Sequence, residues 1–81
     1  MEEPADWRDR KYQEVLEEEL RGLERRREWE SGFSIAELEG TLTYLYHMEG
    51  ADWGGRGEVQ EISLRATIAA YEQVVAAWKK N

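Results

Sequence analysis

The sequence predicts an all-α fold, a three-helix antiparallel bundle completed by self-association. Three observations carry that expectation. Apolar residues recur at the 3.6-residue period through three long segments, about 4–30, 34–49 and 57–80, and no strand is expected. A helix-start signature and a glycine-rich stretch, Gly50 to Gly57, punctuate them. The third segment carries more apolar surface than two helices of one chain would comfortably cover.

The middle segment has the best-marked ends. Phe33, Ser34, Glu37 and Leu38 follow in the order of a capping box with a hydrophobic staple. Ser34 accepts from the Glu37 amide in that motif, Glu37 reaches back to the amide of Ser34, and Phe33 packs on Leu38. Gly50 stands where a left-handed residue closes a helix. At about 100° per residue, Ile35, Leu38, Leu42, Leu45 and Tyr46 share one face. Ala36, Gly40, Thr43 and His47 form a second, mostly small stripe. A helix with two such faces is expected to be the central element, packed from both sides.

The first segment is the most charged. Residues 1–30 hold 18 of the 29 charged side chains, so this helix should be the solvated one. Pro4 suits a first turn, and Glu2, Glu3 and Asp6 suit the positive end of the helix dipole. Asp6–Arg10 and Glu17–Arg21 are spaced for i,i+4 ion pairs. Tyr12, Leu16, Leu20 and Leu23 make one apolar stripe, and Trp7, Val15, Gly22 and Trp29 make a second on a different face. The short Ser31–Gly32 turn implies that the first two helices are antiparallel neighbours.

The third segment starts near Gly57. Glu58 and Glu61 at its beginning, with Lys79 and Lys80 at its end, complement the dipole. Glu58, Glu61, Arg65, Glu72 and Lys79 form a narrow charged stripe. Leu64, Ile68, Tyr71, Val75 and Trp78 lie on one side of it; Val59, Ile62, Ala66, Ala69, Ala70 and Ala77 lie on the other.

Size and composition bound the function. Eighty-one residues make one domain, 1–81, whose core is small enough that oligomerisation is a common support. With no cysteine, disulfides and thiolate metal sites are excluded, and a cytoplasmic location is expected. No secretory leader or membrane-spanning run is read. The net charge of −7 disfavours nucleic acid and anionic membrane as partners.

Chemistry-bearing patterns are few. The loop Ala51 to Gly57 offers Asp52, Trp53 and Arg56 beside His47, a set suited to an anion or a partner at a helix start. It lacks the spacing and the lysine of a P-loop. The plain alternative is a connector in which Trp53 seals the bundle end. His47 has no nucleophile or orienting group evident beside it. Glu14/Glu17, Glu49/Asp52 and Glu58/Glu61 are spaced to face a divalent cation. The all-α nucleotide pyrophosphohydrolases of the MazG type carry ExxE followed by ExxD, whereas here the ExxD-like pair comes before Glu58 and Glu61. No catalytic residue, metal or cofactor is therefore assigned. Arg25, Arg26 and Arg27 read as a solvated face or a contact for an acidic partner.

Two functions fit these features. One is a small interaction or assembly module, a homodimer or higher, whose interface is Trp7, Val15, Gly22 and Trp29. The other is a ligand- or anion-binding protein, or a small hydrolase, that uses His47, Asp52, Trp53 and Arg56. Three tryptophans away from the core faces favour the first, since aromatics are enriched at interfaces.

Overall fold

The computed structural model describes residues 7–50 and 57–80, which form three helices and no strand. They are α1 (Trp7–Trp29), α2 (Ile35–Gly50) and α3 (Glu58–Lys80). The predicted Pro4 start, with Glu2, Glu3 and Asp6, lies outside the described residues.

The start of α2 follows the sequence signature in one half of the capping box; the expected return bond from the Ser34 amide to the Glu37 carboxylate does not form. The Glu37 amide donates to Ser34 Oγ at 3.2 Å, and the Leu38 amide donates to the Ser34 carbonyl at 3.2 Å. Phe33 and Leu38, the two staple residues, are both buried in one apolar cluster. The turn is closed from the other side by the Phe33 amide on the Glu30 carbonyl at 3.1 Å. At the other end of α2 the expectation fails. Gly50 is the last helical residue, not a left-handed stop after it. The third helix begins with the Gly57 carbonyl accepting from the Glu61 amide at 3.0 Å.

The central element is α3, not α2. It packs against both other helices, while α1 and α2 do not pack against each other. The short turn therefore makes α1 and α2 consecutive but not adjacent, which corrects the expected pairing. Contacts at both ends give the directions. Arg8 of α1 meets Glu58 of α3 at 2.8 Å, and Arg27 of α1 lies over the Trp78 ring of α3, so these two helices run parallel. Glu39 of α2 meets Lys79 at 2.8 Å, and Tyr46 meets Glu72, so α2 runs antiparallel to α3.

Two chemically different sides let α3 take this place. Ala66, Ala70, Gln73 and Ala77 form one row at steps of four and three residues. Gln73 and Ala77 border the groove against α1, and Ala66 and Ala70 are fully buried. Alanine lets α1 approach closely. Ile68, Tyr71 and Val75, on the far side of the charged stripe, are buried with Leu38 and Leu42 of α2. The apolar excess that suggested cover from a second molecule is thus largely covered within the chain. By contrast, the small stripe of α2, Ala36, Gly40, Thr43 and His47, is exposed throughout. Tyr46, placed with the apolar face by the wheel, is 44% exposed.

The basic run also differs from expectation. Only Arg25 points fully away. Arg26 lies over the Phe33 ring at 4.8 Å from its centroid, and Arg27 lies over Trp78 at 4.6 Å. The two rings touch each other, 5.8 Å apart and tilted by 39°. Both cation distances fall within the range of effective cation–π attraction, worth about 0.5–1 kcal/mol each at exposed sites. Arg26 is further held by Glu30 at 3.4 Å. Glu17 and Arg21, spaced for an ion pair, do not form one.

Two outcomes are expected in thermal or urea unfolding. Ser34→Ala removes the cap and lowers stability by about 1 kcal/mol. Trp78→Ala removes the ring against which Phe33 and Arg27 pack and costs about 3 kcal/mol, whereas Arg27→Ala costs about 0.5–1 kcal/mol.

Candidate functional site

Among the described residues the two exposed tryptophans lie on the outside of α1, while the exposed tyrosines, Tyr44 at 63% and Tyr46, lie on α2. Helix α1 turns Leu16, Leu20 and Leu23 inward, where they join the apolar cluster. Among the described residues no other helix packs on its opposite arc, where Arg8 lies over the Trp7 ring at 5.8 Å. Trp29 is 79% exposed and Trp7 50% exposed, while Val15 and Gly22 are half-buried at the edge of that arc. A Cβ on Gly22 would meet open space beyond its own helix backbone, so the helix surface is uncovered there. Thus the four residues proposed from the sequence as an interface share one open flank.

The setting of Trp29 is mixed in charge. Arg25, Arg26 and Glu30 border one side of its ring, and Arg21, Glu24 and Glu28 border the other. On the side of α1 that meets α3, an open groove of about 360 Å³ runs past Leu20, Glu24, Arg27, Gln73 and Val74. Its floor is apolar, but no titratable group lies buried in it, and among the described residues no buried polar side-chain atom lacks a partner. The groove therefore has shape without the convergent polar groups that orient a small ligand.

Of the second predicted site, His47 alone lies among the described residues. His47 lies exposed on the last turn of α2. Asp52, Trp53 and Arg56 lie outside the described residues. Of the carboxylate pairs, Glu49/Asp52 extends outside the described residues. Glu14 and Glu17 are exposed on α1, Glu58 pairs with Arg8, and Glu61 pairs with Arg65 at 3.4 Å. Among the described residues no three His, Asp or Glu side chains gather as a metal site.

One polar contact went unnoticed in the sequence. The Tyr46 hydroxyl donates to the Glu72 carboxylate across α2 and α3. That hydrogen bond, with lesser help from partial desolvation and the charges of Glu72 and Glu49, raises the Tyr46 hydroxyl above its usual 10. Nothing in the spacing of either helix signals this pair, because it depends on how the helices are docked.

No protein-family model, curated protein or solved structure matches this chain.

The raised tyrosine carries a signed pH dependence. A group whose folded value lies above its unfolded value stabilises the fold fully below the unfolded value, and that contribution is lost as pH rises through the folded one. Wild type should therefore exceed Tyr46→Phe in melting temperature at pH 7–9, and the gap should close above pH 10. A gap that stays constant to pH 11 would show that the hydrogen bond contributes nothing.

Proposed function

We propose that the protein is a small interaction module that works by self-association through the outer face of α1, without chemistry of its own. The observation that carries this reading is the pair of tryptophans left open on one helical flank, Trp29 above all. Single exposed apolar residues are ordinary on protein surfaces. Two tryptophans on one face, beside Val15 and the uncovered Gly22, make a surface of the composition found at interfaces. The small core supports the same reading. Nine hydrophobic residues are buried among those described, two of them alanines, and a domain this size gains from burying more.

A two-fold dimer is the simplest closed assembly for one such face. No described helix is long and apolar enough to cross a membrane. We place the protein in the cytoplasm, where a cysteine-free chain that relies on association instead of disulfides is at home.

Sedimentation equilibrium at tens of micromolar tests the reading. Wild type should sediment above the 9.5 kDa of one chain, and Trp29→Glu should shift it towards that mass. A wild-type protein that sediments at 9.5 kDa across that range sinks it.

A further inference from the structure

We propose that a second copy of this chain lies antiparallel on the outer face of α1, with the two-fold axis between Glu19 and Leu20. This rests on the self-association proposed above and adds its orientation and register.

Charge points to α1 as the meeting place. Between Trp7 and Trp29 the chain carries seven basic and seven acidic residues; the remainder carries four basic and eleven acidic. Two copies that approach through any surface dominated by the remainder meet mutual repulsion. Through α1 they do not.

The arrangement of those charges is self-complementary. Lys11, Glu14, Glu18, Arg21, Arg25 and Glu28 follow at alternating steps of three and four, the spacing of one continuous helical seam. Lys11 is half-buried and the other five are exposed. Among the described residues none of the six forms an ion pair within the chain. Read along the helix, their signs are positive, two negative, two positive, negative. Inverted about its midpoint, the seam sets every cation against an anion. Lys11 faces Glu28 of the second copy, Glu14 faces Arg25, and Glu18 faces Arg21, and symmetry repeats each pair.

Competing arrangements are penalised. A parallel pair sets each residue beside its own like. Sliding the antiparallel copy by one heptad sets Arg21 against Lys11 or Arg25, and Glu18 against Glu14 or Glu28. Only the central register pairs all six. The same register brings Val15 beside Gly22 of the second copy, where the helix surface is open. It also sets Trp29 over the other copy's first turns, near Arg10. Apolar contact then supplies the buried area, and the charge ladder selects orientation and register.

Two paired variants test this by sedimentation equilibrium at low ionic strength. E14R/E18R makes residues 11 to 25 of the seam wholly basic, and R21E/R25E makes residues 14 to 28 wholly acidic. Each alone should lose dimer, with self-association weakened at least tenfold. Mixed in equal amounts they should form a heterodimer, because all six cross-pairs become attractive. Added salt should weaken that heterodimer. Circular dichroism checks that each variant stays helical. Should either unfold, the swap E18R/R21E conserves composition and must dimerise like wild type, while E18R alone must not. If wild type dimerises but the charge variants dimerise equally well, or their mixture stays apart, the register is overturned and self-association stands. If wild type is a monomer, both fall.

Discussion

Everything in this fold depends on α3 being covered from two sides by unlike surfaces. Its alanine row admits α1 at close range, and its branched and aromatic row takes the leucines of α2. A helix with a single apolar stripe would leave one of its two partners without a seat. The unlike sides also specify which helix goes where. Both neighbours present leucines one turn apart, Leu16, Leu20 and Leu23 from α1 and Leu38 and Leu42 from α2, so the difference lies on the α3 side. The result is a middle helix that separates its two neighbours, so the chain order α1, α2, α3 differs from the spatial order.

The end of the molecule near the Ser31–Gly32 turn is locked by side chains as well as by the Phe33–Glu30 backbone bond. Phe33 and Trp78 bring the turn and the end of α3 together, and Arg26 and Arg27 cover the two rings. Guanidinium planes suit this role because they shield apolar rings while keeping their hydrogen-bonding edges in water. This accounts for two of three consecutive arginines without any partner. The third, Arg25, belongs to the outer face of α1 instead.

Much of the fold was legible because it is written in local signals. The periodicity located the helix ends near 30, 34, 49, 57 and 80 to within about a residue, and the Ser34–Glu37 cap was readable from four letters. The unlike sides of α3 were visible too, but not what they meant. Wheel position alone cannot say whether an apolar side faces a neighbour in the same chain or in another. For the same reason the small stripe of α2 looked like a packing face and is solvated, and the centre of the bundle was assigned to the wrong helix. Pairwise docking, not propensity, decides such matters. Of the candidate sites, the flank of α1 was legible as an apolar stripe at near-heptad spacing, while contacts such as Tyr46–Glu72 and Arg27–Trp78 come from sequence-distant residues and left no trace in spacing.

Among the described residues the aromatic lock sits at the end near the Ser31–Gly32 turn, and burial along α1 is graded towards it. The single fully buried residue of α1, Leu23, lies in the half nearest the lock, and Leu16 and Leu20 further along are only partly covered. At the far end, the described contact between α1 and α3 is Arg8 with Glu58, two side chains about half exposed. Such a pair holds weakly in water. Amide protons should therefore exchange more slowly around Leu23 than around the partly covered Leu16 and Leu20. Opening along α1 is then graded by how much of each turn the rest of the bundle covers.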